Sequence, residues 1–160
     1  MSSGILYVVA TPIGNPQDIT LRALEVLKSV DGIICEERRY GSTLLHRLNI
    51  KGKTLIELNE HNEEKQAPEL AMALVRGEKL ALISDCGTPA FADPGALLVE
   101  LALEYEVKVV PLPGASSLMV LLSVSPQPIK EFYFAGFLPR KDDERTKKLD
   151  QLRKLKVPIV

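Results

Sequence analysis

Two aspartates and two glycines stand out in the stretch ISDCGTPAFADPG, residues 83–95, which contains no Lys, Arg or His. An apolar run precedes it and another follows it, so it joins a predicted strand to a predicted helix. A glycine-rich loop in this place is typical of phosphate binding, which the pattern G-x-x-x-x-G-K-[ST] would accompany. That pattern is missing, and a single glycine follows the first predicted strand where a dinucleotide site needs G-x-G-x-x-G. The loop therefore favours a ligand with cationic groups and hydroxyls, such as S-adenosylmethionine.

The two aspartates of this loop have different expected roles. Asp93 and Pro94 directly precede an apolar helical run, so we expect Asp93 to cap that helix and Pro94 to occupy its first turn. A helix cap does not explain Asp85, which lies at the end of the preceding strand. We therefore expect Asp85, with Gly87 and Thr88, to contact the ligand.

A second Pro/Gly loop, PLPGASS at residues 111–117, follows the fifth predicted strand. Gly114 allows the backbone to approach a ligand, and Ser116 and Ser117 offer hydroxyls and amides at a helix N-terminus. A tight strand-to-helix turn with a serine cap explains the same residues, and both interpretations stay open.

Three charged segments are candidates for substrate contacts. CEERRYGST (35–43) follows the second predicted strand and offers arginines that suit phosphates. NEHNEE (59–64) contains His61, a candidate substrate contact or base, and FLPRK (137–141) opens a basic helix. Each segment is also typical of a solvated turn or helix end.

Short apolar runs alternate with longer amphipathic runs as far as Val124. Strands are predicted at 5–10, 32–36, 53–58, 79–84 and 107–112, and helices at 18–30, 42–50, 62–77, 93–105 and 115–124. The alternation predicts an α/β fold with a mostly parallel five-stranded sheet and helices on both faces. In such sheets ligands bind at the carboxyl ends of the strands, where the unusual loops lie.

The character of the chain changes after Val124. A Pro-containing linker, an aromatic strand (132–139) and a charged helix (140–156) are predicted there. We predict an N-terminal α/β domain at 1–124, forming half of a cofactor site, and a linker with the first elements of a second α/β domain at 125–160. The sequence stops in the apolar run KLKVPIV, so we expect the N-terminal part of a longer protein.

Composition restricts the class of protein. The 160 residues are 46% hydrophobic and 26% charged, as in ordinary globular domains. A net charge of −1 gives no general attraction to nucleic acid or membranes, although a local basic patch is compatible with it. We expect a cytoplasmic protein without a spanning helix or a signal peptide, in which Cys35 and Cys86 are buried free thiols. The two cysteines and two histidines lack zinc-ligand spacing, so no zinc site is expected.

Six motifs occur in a characteristic order: LYVVATPIGNPQDIT, CEERR, NEHNE, ISDCGTPAFADPG, PLPGASS and FAGFLPRK. Together they resemble the bacterial small-subunit ribosomal RNA cytidine 2′-O-methyltransferases, within the tetrapyrrole-methylase-like superfamily. The resemblance implies two α/β domains with S-adenosylmethionine in the cleft between them, a homodimer, and no metal. It implies a cytidine ribose of the small ribosomal subunit as the acceptor.

Carried over by position, the resemblance implies cofactor-binding residues in the loops after the first, fourth and fifth strands: Pro12, Ile13, Asp85, Gly87, Thr88, Phe91, Gly114, Ser116 and Ser117. The superfamily often has Gly-Asp-Pro where this sequence has Gly87-Thr88-Pro89, so Asp85 is expected to supply the negative charge. The branch usually has Glu-Asp-Thr-Arg at the second strand, and of residues 36–39 only Glu36 and Arg39 match closely.

The implied reaction is an in-line displacement at the methyl carbon by the ribose 2′-OH, which needs alignment and a proton acceptor. Glu36 and His61 are the candidate bases, and Arg39, Arg140 and Lys141 are the candidate RNA contacts. Two alternatives remain: a tetrapyrrole (precorrin) C-methyltransferase, and a non-catalytic ribosome-assembly factor that binds RNA. We expect these 160 residues alone to bind the cofactor weakly and not to turn over.

Overall fold

Five parallel strands form one sheet in the order β3-β2-β4-β1-β5. The structure is a computed structural model and describes residues 4–160. The strands are β1 (Ile5–Val9), β2 (Gly32–Cys35), β3 (Thr54–Glu57), β4 (Lys79–Ile83) and β5 (Lys108–Leu112). Val9 pairs with Ile83 and with Leu112, so the loops after β1, β4 and β5 begin at the same height.

Four helices cover the two faces of this sheet: α1 (Leu21–Ser29), α2 (Arg38–Arg47), α3 (Glu63–Val75) and α4 (Ala96–Glu104). Ala23 and Leu27 of α1 and Leu45 of α2 belong to one apolar core. Residues of α3 and α4, among them Leu74 and Leu98, belong to a second core. The two cores are formed on opposite faces, because alternate residues of a strand point to opposite sides. The predicted α/β class, with a parallel five-stranded sheet covered on both faces, is confirmed.

The neighbouring strands β4 and β1 lead into helices on opposite faces. The chain leaves β1 toward α1 and leaves β4 toward α4, which lie in different cores. Where neighbouring parallel strands lead to opposite faces, a crevice opens between the loops that follow them, here the loops after β1 and β4. Ligands of open α/β sheets bind in such crevices.

Helix α2 begins at Arg38, before the predicted start at Ser42. Close packing at Gly41 is compatible with this start only because the residue is glycine, since an added Cβ would lie 2.9 Å from the Cys35 Sγ. The glycine lets the first turn of α2 lie against the end of β2. The sequence pattern predicts these charged residues before the helix, whereas they form its first turn.

The predicted cap of α4 is wrong, because this helix begins at Ala96 and Gly95 occupies the N-cap position. The Glu63 carboxylate, from the start of α3, accepts hydrogen bonds from the Gly95 and Leu97 amides at 2.8 and 3.1 Å. A distant carboxylate thus takes the role expected of Asp93. Thr20, one of two candidate caps of α1, does cap it, since its hydroxyl accepts a hydrogen bond from the Ala23 amide at 3.1 Å.

The chain divides into two compact units between Ser116 and Ser117. This lies before the predicted division between 124 and 125, because α5 (Ser117–Ser123) groups with the residues that follow it. The second unit, Ser117–Val160, also contains α6 (Asp142–Leu152). The proposed roles of 1–124 and 125–160 stay predictions.

The aromatic segment 132–139 of the second unit is not the regular strand predicted there. Tyr133 makes a parallel bridge with Ile159, and Gly136, at φ 67°, turns the chain out of the extended conformation. Of the α6 leucines, Leu152 is buried.

The expectation of two buried thiols is half right. Cys35 is buried at the end of β2, whereas Cys86 is exposed because it lies in the surface loop after β4. Within residues 4–160, no helix is both long and apolar enough to cross a membrane.

Candidate functional site

The loops after β1 and β4 are joined by a short antiparallel bridge. The Thr11 amide donates to the Gly87 carbonyl at 2.8 Å, and the Gly87 amide donates to the Thr11 carbonyl at 3.2 Å. The buried Thr11 hydroxyl also donates to the Ser84 carbonyl at 3.0 Å. These bonds satisfy buried polar groups and fix the two loops relative to each other.

The loop after β5 meets the same two loops. The Thr88 hydroxyl donates to the Ala115 carbonyl at 3.3 Å. A Cβ added to Gly114 would lie 2.9 Å from the Ala10 Cβ, so only glycine permits this approach. The three Pro/Gly loops predicted to meet at one edge of the sheet therefore do so.

Position 87 requires a glycine for two reasons. Its φ of 90° lies in the left-handed region, which side chains with a Cβ rarely adopt. An added Cβ would also lie 3.3 Å from the Ile13 Cγ2. Another left-handed residue, Ala90 at φ 65°, follows in the same loop. The loop after β4 is thus held in a costly conformation, a feature that clusters at ligand sites.

A cavity of about 280 Å³ opens beside these loops. Pro12, Ile13 and Asp85, all predicted site residues, line it. Its volume is near the lower end of the usual range for ligand pockets, roughly 300–1,000 Å³.

Helix α2 forms the other wall of this cavity, through Tyr40, Thr43, Leu44 and Arg47. Residues at spacings of three and four lie on one face of a helix, so these side chains share one face of α2. Sequence reasoning missed them. The signal was present in their spacing, but the misplaced start of α2 put Tyr40 outside the helix.

Asp85 is the most unusual carboxylate of the site. Its Oδ1 is buried and has no hydrogen-bond partner within the described chain. Burial raises the pKa of Asp85, the Glu37 backbone N–H opposes this, and the charges of Glu37 and Asp93 raise it further. An unpaired, partly desolvated acceptor is costly, and a ligand that donates a hydrogen bond or carries positive charge would relieve that cost.

Glu36, which directly follows β2, forms an acidic cluster with Asp85, Glu37 and Asp93. Burial raises the pKa of Glu36, followed by the charges of Asp85, Asp93, Glu37 and Glu60. Within residues 4–160, no three or more His, Cys, Asp or Glu side chains are arranged to hold a metal ion. The carboxylates of the cluster create a region of negative potential, which favours positively charged ligands.

The neighbouring Cys35 is a poor nucleophile. Burial first, and then the charges of Asp85 and Glu57, raise the pKa of its thiol to about 11. Since the thiolate is the reactive form, covalent chemistry at Cys35 is disfavoured near neutral pH.

Other predicted residues lie outside the cavity lining. His61 is exposed on the loop after β3, with its Nε2 3.6 Å from the Glu60 Oε1. Phe91 is exposed in the loop after β4, and Arg39 is exposed in the first turn of α2. Ser116 is the last residue of the first unit.

Three predicted residues belong to the second unit and are described there. Ser117 is the first residue of α5. The Arg140 carbonyl accepts a hydrogen bond from the Arg145 guanidinium at 3.1 Å, and the Lys141 Nζ lies 3.4 Å from the Glu144 Oε1. Both contacts are at the start of α6 and are typical of a solvated helix end.

The fold and the site define the class of protein. The chain belongs to the Tetrapyrrole (Corrin/Porphyrin) Methylases, whose sequence profile matches residues 5–160. A solved structure with this fold is the native form of uroporphyrin III C-methyl transferase from Thermus thermophilus. It has a TM-score of 0.61 and 20% sequence identity, and the match covers 82% of this chain and 58% of that one. At this identity the likeness supports the fold alone.

Sequence relatives are more specific and confirm the resemblance recognised from the six motifs. A protein of Leptospira biflexa named "Ribosomal RNA small subunit methyltransferase I" is 45% identical over 157 residues, covering 98% of this chain and 65% of the relative. A protein of the same name from Vibrio cholerae is 48% identical over 151 residues, covering 94% of this chain and 52% of the relative. The chain thus spans between about half and two thirds of the length of these relatives.

Proposed function

We propose that the protein uses S-adenosylmethionine to methylate the ribose 2′-OH of a cytidine in small-subunit ribosomal RNA. The observation that carries this proposal is 45% identity, over nearly the whole chain, to a relative named for small-subunit ribosomal RNA methylation. The cytidine and the 2′-oxygen rest on the resemblance of the six motifs.

The residues of the first unit fit this cofactor. The buried, unpartnered Asp85 Oδ1 suits a ribose hydroxyl or an ammonium group. The glycines at 87 and 114 keep side-chain bulk away from the junction of the three loops. The residues that would hold the cofactor there are Pro12, Ile13, Asp85, Gly87, Thr88, Phe91, Gly114 and Ser116. When bound, S-adenosylmethionine supplies an electrophilic methyl group on a sulfonium.

The acidic cluster contributes to binding more than to rate. Methyl transfer removes the sulfonium charge, so carboxylates near it stabilise the bound donor at least as well as the transition state. The rate enhancement must then come from alignment of the 2′-oxygen with the methyl carbon, which binding of both groups in one rigid site provides. Thr11, through its bonds to Ser84 and Gly87, supplies that rigidity.

Of the two candidate bases, we choose Glu36 over His61 because of its environment. A carboxylate whose pKa is raised by burial and by neighbouring acids accepts a proton more readily near neutral pH than an ordinary one. His61 is exposed and lies beside Glu60. We therefore assign to Glu36 the proton that the 2′-OH loses.

Methyl transfer tests this proposal directly. The gene product that contains this sequence is incubated with tritiated S-adenosylmethionine and with small ribosomal subunits that lack the methyl group or, in a parallel reaction, with a precorrin. Mass spectrometry of digested RNA should then show 2′-O-methylcytidine. Label that enters a precorrin but not RNA would establish the tetrapyrrole alternative. RNA binding without any methylated product would establish the assembly-factor alternative.

Two finer points belong to this proposal: a cytoplasmic location, and a homodimer that acts on assembled subunits. Sedimentation equilibrium measures the oligomeric state. A comparison of free RNA with assembled subunits as acceptors identifies the form of RNA that is used.

A further inference from the structure

The segment 38–53 is strongly basic in a chain of net charge −1. It contains Arg38, Arg39, Arg47, Lys51 and Lys53, and it has no Asp or Glu. It covers α2 and the turn that leads to β3. Such a local concentration of positive charge creates an attractive potential for polyanions that the net charge conceals.

Three of these cations are free for a ligand. Arg38 pairs with Glu57, with 3.9 Å between Nε and Oε2, and the Lys53 Nζ donates to the Val30 carbonyl at 2.6 Å. In the part of the chain that the structure describes, no ion pair includes Arg39, Arg47 or Lys51. A ligand that binds these side chains therefore breaks no internal pair.

Arg47 connects the basic segment to the cavity. It lines the same 280 Å³ space as Tyr40 and Thr43 of its own helix and as Asp85 of the loop after β4. The cavity therefore has a guanidinium in one wall and one carboxylate of the acidic cluster, that of Asp85, in the other. Tyr40 is 55% exposed, so its ring is available for contact.

The opposite charges of the two cavity walls favour different ligands. A polyanion is repelled by the acidic cluster and attracted by α2, while a cationic donor has the opposite preference. Arg47 presents the planar fork that suits phosphate oxygens. Tyr40 offers the aromatic face on which single-stranded bases stack.

We propose that the face of α2 formed by Tyr40, Thr43 and Arg47 is the seat of the acceptor nucleotide, with Arg47 on its phosphate and Tyr40 against its base. Arg39 and Lys51 extend this surface along the RNA backbone. The assignment rests on the proposed function, since it names the wall of that site which receives RNA. It explains how a chain of net negative charge positions a polyanion beside an acidic pocket.

The test compares Arg47→Ala and Tyr40→Ala with Arg76→Ala. Arg76 is the control because it is also an exposed arginine at the end of a helix, but it follows α3, which packs in the other core. It differs from Arg47 in its ion pair with Glu78, at 3.8 Å. Filter binding of labelled small-subunit RNA is measured between 50 and 200 mM salt. The KM for S-adenosylmethionine and the KM for unmethylated subunits are measured separately.

The Arg47 variant should lose about one phosphate contact, which lowers the slope of log Kd against log salt by about 0.7–0.9. Loss of one stacked base in the Tyr40 variant should weaken RNA binding roughly 5- to 150-fold. Both variants should raise the KM for subunits and leave the KM for S-adenosylmethionine unchanged, and the Arg76 variant should resemble wild type.

Three results would overturn the assignment: no RNA binding by the wild-type protein, equal effects of Arg47→Ala and Arg76→Ala, or a rise in the KM for S-adenosylmethionine alone. The last would mean that α2 contacts the donor. Failure of the proposed function can be told apart from failure of this assignment. A wild-type protein that binds RNA without transferring a methyl group would refute methylation. The salt dependence of RNA binding by the Arg47 variant would still test the role of Arg47.

Discussion

The loop after β4 and helix α2 face the same cavity and are built in opposite ways. The loop 83–95 has no basic residue, has glycines in left-handed backbone, and depends on hydrogen bonds to the loop after β1. The segment 38–53 has no acidic residue and is mostly regular helix. The loop places a desolvated carboxylate at one point, whereas the helix distributes exposed cations over a surface. The first arrangement suits one small cation and the second suits an extended polyanion.

The largest expected effect is that of Asp85→Asn on the acidic side of this comparison. Loss of a hydrogen bond to a charged group costs about 1.5–3 kcal/mol, so the affinity for S-adenosylmethionine should fall by roughly 10- to 150-fold. Isothermal titration calorimetry measures it. Asp93→Asn is the control, because Asp93 shares the acidic loop but does not line the cavity. Unchanged affinity in the Asp85 variant would make it a turn residue only.

Next in size is the effect of Gly87→Ala compared with Gly52→Ala, which pairs a glycine of the acidic loop with one of the basic segment. Both have left-handed φ angles, 90° and 71°, so alanine should cost each about 1–2 kcal/mol of stability. Only Gly87 has close neighbours, with the Ile13 Cγ2 at 3.3 Å from an added Cβ, whereas Gly52 has open space. Urea denaturation should show the larger loss for Gly87→Ala, and calorimetry should show weaker donor binding for that variant alone. Equal losses would show that the junction of the loops relaxes without cost.

A smaller effect is the pH dependence that the acidic cluster imposes. The pKa values of Asp85 and Glu36 are raised in the folded state, so the folded protein binds more protons than the unfolded chain between the ordinary and the raised values. Stability therefore falls as pH rises through that window. The double variant Asp85→Asn/Glu36→Gln should lack this contribution to the pH dependence of the unfolding free energy. It should be more stable than wild type at pH values above the raised pKa values. Urea denaturation of wild type and the double variant at a series of pH values measures it, and an unchanged slope would contradict the raised values.

The smallest expected effect is that of Arg38→Ala on stability. Its pair with Glu57 is long, at 3.9 Å, and both side chains are substantially exposed. Exposed pairs contribute about 0–1 kcal/mol, so the free energy of unfolding, measured by urea denaturation, should hardly change. A loss of stability well above that range would mean that the basic segment is also structural, and the contrast between the two walls would be less sharp.

Several features followed from local sequence pattern. The strand bounds, the parallel sheet and the meeting of three Pro/Gly loops at one edge depend on alternation and on turn residues. Asp85 could be singled out because no local structural role explained it. The start of α2 could not be predicted in the same way, because it depends on the contact between Gly41 and Cys35.

The sequence by itself determined the α/β fold, the family, and the acidic character of the loop after β4. Periodicity, glycines and charge are local properties that remain the same wherever the segments pack. Only the tertiary structure decided that Glu63 caps α4 in place of Asp93, that the Oδ1 of Asp85 is buried without a hydrogen-bond partner, and that Arg47 lines the same cavity as Asp85. These are contacts between residues far apart in the chain, and no local pattern records them, because they arise when the sheet brings distant loops and helices together.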